Sequence, residues 1–156
     1  MNTSHQFDST NLVGEIQLIY KSKETEGPQV QLTNPEEVAD LLWHIWDENT
    51  IELREEFVVV LLNNAKHCLG WSKISMGGKT ATIVEVSQIV ALAVCSNANS
   101  VILGHNHPSN LTRPSNADAQ LTQRVRDALR LVGITLDDHI IITKEQFYSF
   151  AAHGQL

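Results

Sequence analysis

The sequence has little that would place the chain in a membrane or in a disulfide framework. Its 156 residues contain two cysteines, Cys68 and Cys95, and no Cys-x-x-Cys pair, which is typical of a reducing compartment. No stretch approaches the roughly 18 consecutive apolar residues that a membrane span needs. The polar N-terminus lacks the basic and apolar regions of a secretory signal. These absences predict a cytoplasmic protein that does not enter a membrane.

Positive charge is also scarce. The chain has 11 Lys and Arg residues against 18 Asp and Glu residues, and its formal net charge is −7. Proteins bind duplex nucleic acid largely through Lys and Arg side chains that neutralise phosphates, so nucleic acid is not expected to be the direct ligand. The densest basic group, Arg124, Arg126 and Arg130, is interrupted by Asp127 and is predicted to be a solvated helix face.

The order of apolar patterns predicts an α/β fold in which helices flank a mixed β-sheet. The length suits one domain with one core. A flexible N-terminal segment is predicted at 1–13 and the domain at 14–156. Strands are predicted at 15–21, 57–62, 67–75, 80–86, 101–107, 134–143 and 147–150, and helices at 35–46, 87–97 and 115–132.

Each predicted helix has one apolar stripe that is expected to face the sheet. The first helix starts with Asn34 as N-cap and Pro35 in its first position, Ser87 is expected to cap the second, and Gly133 to end the third. The predicted buried stripes are Val38, Leu41, Leu42, Ile45 and Trp46 in the first helix, Ile89, Val90, Ala93 and Val94 in the second, and Leu121, Val125, Leu129 and Val132 in the third.

A histidine-rich segment ends the strand predicted at 101–107. His105 and His107 are two residues apart, so their imidazoles point to the same face of a strand, while Asn106 points away. Ser115 follows a loop rich in turn residues and suits a helix N-cap, which puts Asp118 in the first helical turn. Two histidines and one carboxylate form a three-ligand set of the kind that leaves a position for water on zinc.

A purely structural explanation of these residues is the alternative. Asp118 is also a favoured acid near a helix N-terminus, with Ser115 as its cap, and the histidines could be hydrogen-bonded polar residues at a strand end. Each structural explanation is adequate for one residue alone. All four residues bracket one loop, however, and together they favour a metal site.

The spacing His-x-His-x7-Ser-x2-Asp, met by His105, His107, Ser115 and Asp118, resembles the JAMM motif of the JAB/MPN metalloprotease domains. The fuller pattern, HNHPS followed by PS-x-A-D, is similar to the RadC family within that superfamily. The resemblance implies the α/β sandwich that the superfamily shares with cytidine deaminases. It also implies zinc-dependent hydrolysis of peptide or isopeptide bonds, with His105, His107 and Asp118 as Zn²⁺ ligands and Ser115 stabilising the oxyanion.

The same family pattern places a glutamate just before an apolar strand, upstream of the histidines, where it acts as general base. Glu55 and Glu56 both precede the apolar run at 57–62, and they point to opposite faces of the strand, so only one can serve. Glu56 is predicted to be the base, with Glu55 as the alternative. His139 resembles a further family position but is predicted to be structural.

Two other functions remain to be compared with hydrolysis. Zinc deaminases need His-x-Glu and Pro-Cys-x-x-Cys, whereas this chain has His-Asn-His and two isolated cysteines, so deaminase chemistry is disfavoured. The expected partner is a peptide or protein substrate. The alternative function is a non-catalytic metal-binding module, or an accessory protein of DNA repair.

Overall fold

The computed structural model describes residues 29–76 and 84–156. Within these ranges, five strands form one mixed sheet in the order β2-β1-β3-β4-β5. The strands are β1 (Glu56–Leu62), β2 (Cys68–Met76), β3 (Ser100–Asn106), β4 (Thr135–Ile142) and β5 (Phe147–Ser149), and the helices are α1 (Pro35–Ile45), α2 (Val86–Cys95) and α3 (Asn116–Leu131). β3 and β4 are parallel, and the other neighbouring strands are antiparallel. The predicted mixed sheet with flanking helices is confirmed.

β1 and β3 form the centre of this sheet and are buried along their whole length. Their apolar runs lack alternation because helices cover both faces. Val58 and Val60 face α1, where they pack with Leu42. Val59 and Leu103 point to the other face, where their neighbours come from α2 and α3. Of the helices in the described ranges, none has the length and apolarity needed to cross a membrane.

α1 starts as predicted and lies very close to β3. The side chain of Asn34 accepts a hydrogen bond from the backbone N–H of Glu37, and Pro35 occupies the first position. A Cβ atom built on Gly104 would lie 2.8 Å from Cδ2 of the fully buried Leu42. A side chain at this position would force the packed Leu42 side chain, or the helix that carries it, to shift.

α3 also starts as predicted, with Ser115 as its N-cap. The Ser115 side chain accepts from the backbone N–H of Asp118, and the Asp118 carboxylate accepts from the backbone N–H of Ser115, which together form a capping box. The helix packs on the sheet through Val125 and Leu129, and Gly133 follows its end with a φ of 74°, a left-handed conformation that glycine adopts without strain.

Two predictions about α2 are wrong. Val86 is the first residue of the helix, not the end of a strand, and Glu85 occupies the N-cap that was assigned to Ser87. Val94 was expected to be buried but is 45% exposed, because its neighbour Ala93 takes the position that faces the core.

The end of α3 differs from the prediction in the same way. Val132 was expected in the buried stripe but is 46% exposed. It is the C-cap of α3 and therefore lies past the last turn that packs on the sheet. The flexible segment predicted at 1–13, the strand at 15–21 and residues 80–83 of a further predicted strand lie outside the described residues.

Candidate metal centre

The predicted metal ligands meet where the carboxyl end of β3 approaches the start of α3. His105 lies in β3 and is 1% exposed, His107 follows the strand, and Asp118 lies in the first turn of α3. One ligand atom from each of these side chains lies within 4.8 Å of the others. The structure therefore brings together the three residues that the sequence predicts as ligands.

The spacing of these atoms suits a small metal ion. The two Nε2 atoms of His105 and His107 are 2.9 Å apart. Asp118 Oδ1 is 3.4 Å from Nε2 of His105, and Asp118 Oδ2 is 3.5 Å from Nε2 of His107. Tetrahedral zinc with ligand bonds of about 2.0–2.1 Å requires ligand atoms about 3.3–3.4 Å apart. The two Asp118 distances match this spacing, and the two nitrogens would move slightly apart to hold the ion, so the residues present fit zinc.

A backbone hydrogen bond fixes which nitrogen of His107 can bind a metal. Nδ1 of His107 lies 2.7 Å from the carbonyl oxygen of Leu111. Because a carbonyl only accepts hydrogen bonds, Nδ1 carries a proton. The neutral ring of His107 therefore presents an unprotonated Nε2 to the cluster.

Electrostatics keep Asp118 ionised. Burial raises the pKa of this carboxyl, but hydrogen bonds from His107 and Ser115 and the charge of His105 outweigh it and hold the pKa well below its usual range. Oδ2 accepts from both the backbone N–H and the hydroxyl of Ser115, each at 2.7 Å. Asp118 is therefore a fixed anion at the edge of the cluster.

The two histidines differ in their affinity for protons. Burial lowers the pKa of His105 to about 4, so this ring is neutral near pH 7. For His107, burial also opposes protonation, but hydrogen bonds to Asp118 and Leu111 and the negative charges of Asp118 and Glu55 outweigh it and raise the pKa. A cation is thus favoured at the point where the three side chains meet.

Glu56, which the sequence predicts as the general base, is bound by two cations in this structure. Phe57 stacks on His105 with ring centroids 5.8 Å apart, so the neighbouring side chain of Glu56 points to the opposite face of the sheet. There the Glu56 carboxylate accepts hydrogen bonds from Arg54 at 2.7 Å and from Lys73 at 2.5 Å. Burial raises the Glu56 pKa, but these two cations outweigh it and lower the pKa. Glu56 belongs to a structural ion pair.

Glu55, the alternative considered in the sequence, is on the side of the cluster. It lies directly before β1, whose Phe57 pairs with His105. Its negative charge contributes to the raised pKa of His107. Of the two adjacent glutamates, Glu55 is therefore the one within electrostatic reach of the candidate ligands.

Asn106 holds the segment that carries both glutamates. Its side-chain amide donates to the carbonyl oxygens of Ile51 at 2.6 Å and Arg54 at 2.8 Å, and its Oδ1 accepts from the backbone N–H of Glu56 at 2.7 Å. The residue between the two histidines therefore points away from the metal centre, as predicted, and fixes the chain that brings Glu55 to it.

A cavity of about 600 Å³ lies beside Ser115 at the N-terminus of α3. Arg113, Tyr148, Phe150 and Gln155 contribute to its wall. Aromatic side chains combined with a few hydrogen-bonding groups are typical of a ligand pocket. The cavity is therefore a candidate ligand pocket next to Ser115.

The sequence of residues 32–155 matches the protein family described as "RadC-like JAB domain". This region includes most of the chain and every residue of the candidate centre. The chain belongs to the RadC-like JAB domain family. The resemblance in the histidine motif is confirmed, and so is the family-level fold.

Curated relatives of this RadC-like chain carry the name UPF0758. The UPF0758 protein YfjY of Escherichia coli (strain K12) is 44% identical over 103 residues, which cover 66% of this chain and 64% of YfjY. The UPF0758 protein YeeS of the same strain is 36% identical over 148 residues, 92% of this chain and 98% of YeeS. A UPF0758 protein of Aquifex aeolicus (strain VF5) is 30% identical over 141 residues, 89% of this chain and 59% of that protein. The chain thus spans less than two thirds of the length of YfjY and of the Aquifex protein.

Two residues outside the predicted site complete the surroundings of the RadC-like centre. His139 in β4, predicted to be structural only, has its Nε2 2.8 Å from Nδ1 of His105, and Thr122 in α3 contacts the other nitrogen of His139. A sequence signal existed for each. A histidine inside an apolar strand needs a buried polar partner, and Thr122 lies one helical turn after Asp118, on the same face of α3.

Proposed function

We infer that this RadC-like JAB domain is a zinc-dependent hydrolase of amide bonds in peptides or isopeptides. The observation that carries this inference is the convergence of two imidazole Nε2 atoms and the anionic carboxylate of Asp118 within 3.5 Å. Electron pairs this close repel one another unless a cation lies between them. Glu55, within electrostatic reach of His107, adds the base that hydrolysis requires.

His105, His107 and Asp118 would hold the metal, and this donor set of two imidazoles and one carboxylate suits zinc. When bound, zinc supplies a Lewis acid that lowers the pKa of water and polarises a carbonyl group. Three protein ligands leave a coordination position open, as in catalytic rather than structural zinc sites.

The chain supplies the proton transfers. The carboxylate of Glu55 would accept a proton from water and pass it to the leaving amine, the role of a general base that then acts as an acid. The hydroxyl of Ser115 donates to Oδ2 of Asp118. Rotation about its Cβ–Oγ bond would redirect this donor to the oxyanion of a substrate carbonyl, while the backbone N–H of Ser115 keeps its bond to Asp118.

The proposed substrate is a peptide or protein segment, and its place is the cavity of about 600 Å³ beside Ser115. Arg113 in the cavity wall favours an acidic or carbonyl-rich segment. The net charge of −7 disfavours nucleic acid as the direct ligand. Cys68 and Cys95 form no disulfide with each other, which favours the cytoplasm as the proposed location.

The proposal is tested by comparing Glu55→Gln with Glu56→Gln. Glutamine keeps the volume of glutamate but cannot accept the proton, so Glu55→Gln should lower turnover by about 10²–10⁴-fold and retain the metal. Glu56→Gln is the matched control, because its side chain points to the other face of the sheet, and it should keep near wild-type turnover. Turnover is measured on quenched fluorescent peptide and isopeptide libraries, with zinc content determined in parallel.

Three results would contradict the proposal. Equal, measurable turnover in wild type and Glu55→Gln would show that Glu55 is not the general base. Absence of turnover in zinc-loaded wild type would favour the alternative of a non-catalytic metal-binding module. Loss of turnover in Glu56→Gln alone, with normal zinc content and folding, would show that the face assigned to each glutamate is wrong.

A further inference from the structure

A chain of hydrogen bonds leads away from the ligand nitrogen of His105 into the core. Nδ1 of His105 lies 2.8 Å from Nε2 of His139. Nδ1 of His139 lies 2.6 Å from Oγ1 of Thr122, and that hydroxyl donates to the backbone carbonyl of Asp118 at 2.6 Å. This series of hydrogen bonds therefore starts at one candidate ligand, His105, and ends on the backbone of another, Asp118.

The direction of the hydrogen bonds follows from the last acceptor. A carbonyl oxygen only accepts, so Thr122 gives its single hydroxyl proton to Asp118 and must accept a proton from Nδ1 of His139. A neutral imidazole has one N–H, so Nε2 of His139 is left as an acceptor for the N–H at Nδ1 of His105. The remaining nitrogen of His105, Nε2, then has no proton and is free to bind a metal.

The two histidine rings in this hydrogen-bond series have little freedom to turn. His139 is fully buried and stacks on Phe150, with ring centroids 4.9 Å apart and planes 13° apart. Phe57 stacks on His105 and also meets His139 edge-on at 5.6 Å. Thr122 is 2% exposed. Packing therefore keeps the donors and acceptors in register.

We propose that His139 and Thr122 are positioning residues, which fix His105 in the tautomer that carries its proton on Nδ1 and so keep Nε2 available to the metal. The inference rests on the metal centre of the proposed function and adds two residues to it. The opposite direction of donation, from Thr122 through His139 to His105, would place a proton on Nε2 of His105, where it would block the site.

One face of α3 carries both a candidate metal ligand, Asp118, and the residue that bonds His139, Thr122. Thr122 lies four residues after Asp118, one helical turn along the same face. The helix thus presents the carboxylate of Asp118 to the metal and the hydroxyl of Thr122 to His139. Partners that orient a ligating histidine typically change metal affinity by about 10–100-fold when they are removed.

The first test needs no metal and no substrate. In protein stripped of metal and labelled with ¹⁵N-histidine, long-range ¹H–¹⁵N correlation spectra near pH 8 report which nitrogen of each ring is protonated, with signals assigned by single His→Gln variants. The expected tautomer is Nδ1–H for both His105 and His139. A proton on Nε2 of His105 would overturn the proposal.

The second test uses Thr122→Val, which removes the hydroxyl at nearly constant volume. Without its acceptor, His139 should reverse its tautomer and donate from Nε2 to His105, and zinc affinity should fall by about tenfold, as measured by competition with a chromophoric chelator. Thr122→Ser keeps the hydroxyl and should restore both readouts. Thr143→Val, another buried threonine whose hydroxyl bonds Gln146 outside the centre, is the matched control and should change neither.

His139→Phe and His139→Gln sharpen the result. Phenylalanine keeps the ring but removes the acceptor, so zinc affinity should fall by about 10–100-fold, whereas the amide oxygen of glutamine can accept from His105 and should recover part of the loss. A merely structural role predicts lower stability in Thr122→Val and His139→Phe with unchanged tautomers and unchanged zinc affinity, and that result would overturn the proposal. Because the tautomers are read without metal or substrate, failure of the hydrolase proposal would be distinguishable from failure of this one.

Discussion

The two faces of the sheet carry polar clusters of opposite kinds, one built on β1 and β2 and the other on β3 and α3. On the α1 face, the Glu56 carboxylate is neutralised by Arg54 and Lys73. On the α2/α3 face, His105, His107 and Asp118 aim their electron pairs at one point. The first cluster supplies its own cations, while the second brings together the donor set of a metal ion.

This difference shows that burial and charge alone do not identify a functional residue. Glu56 is fully buried, ionised and paired, features that also occur in active sites. The two clusters differ in whether cationic side chains of the protein pair with the acceptor atoms: Arg54 and Lys73 do so for Glu56. An arrangement in which acceptors converge without a matching donor points to a ligand, and a matched ion pair points to stability.

On the α2/α3 face, replacing Ser115 is expected to lower turnover more than any other change except replacement of the general base. Ser115→Gly removes the hydroxyl but keeps the backbone N–H that bonds Asp118. Turnover should fall by about 10²–10³-fold through the lost oxyanion donor, while glycine, an acceptable N-cap, should cost only a few tenths of a kcal/mol in stability. Ser115→Thr keeps the hydroxyl and serves as control. Steady-state turnover and thermal unfolding of both variants check the prediction, and unchanged turnover in Ser115→Gly would reduce Ser115 to a helix cap.

Asn106 connects the two faces, so its replacement should affect both. Asn106→Leu leaves the carbonyls of Ile51 and Arg54 and the N–H of Glu56 without their partner. Each unsatisfied buried group costs about 1–3 kcal/mol, so the free energy of unfolding should fall by at least about 3 kcal/mol, as measured in urea. Turnover should fall more than zinc content, because Glu55 loses its support while the ligands remain. Unchanged stability would mean that Asn106 does not hold this segment.

A smaller effect, confined to stability, is expected for Glu56→Gln. The pKa of Glu56 is lowered in the folded protein, so its stabilising contribution is fully present above the ordinary glutamate pKa of 4.5 and is lost as pH falls through the lower, folded value. The variant should be less stable than wild type by about 1–3 kcal/mol near pH 7. This difference in stability should shrink as the pH falls below 4.5 and the Glu56 carboxylate becomes protonated. Unfolding in urea at several pH values measures it. The exposed Glu145→Gln is the control, and a pH-independent difference would contradict the ion-pair explanation.

Much of the fold follows from local sequence patterns. The Asn34-Pro35 start and apolar stripe of α1, the continuous apolar runs of β1 and β3, and the Ser115 cap of α3 were all predictable, since capping and burial leave periodic signals. The exposed Val94 and Val132 were not, because an apolar residue at a helix edge looks the same whether or not the sheet extends beneath it.

The metal ligands were predictable because their spacing is local, whereas their neighbours depend on strand register. The choice between Glu55 and Glu56 is set by the pairing of Phe57 with His105, and an apolar strand without alternation gives no hint of which face is which. His139 reaches His105 only through the parallel pairing of β3 with β4, which is shifted by an irregularity between Val101 and Ile102. No pattern in the sequence encodes that shift.

The zinc content of protein purified without chelator tests the proposed metal centre most directly. Wild type and Glu56→Gln, whose carboxylate lies on the opposite face, should each contain about one zinc per chain, and the double variant His105→Ala/His107→Ala should contain almost none, since it removes two of the three ligands. Elemental analysis, with circular dichroism to confirm that each variant is folded, gives the answer. Full zinc content in the folded double variant would contradict the assignment of the metal centre.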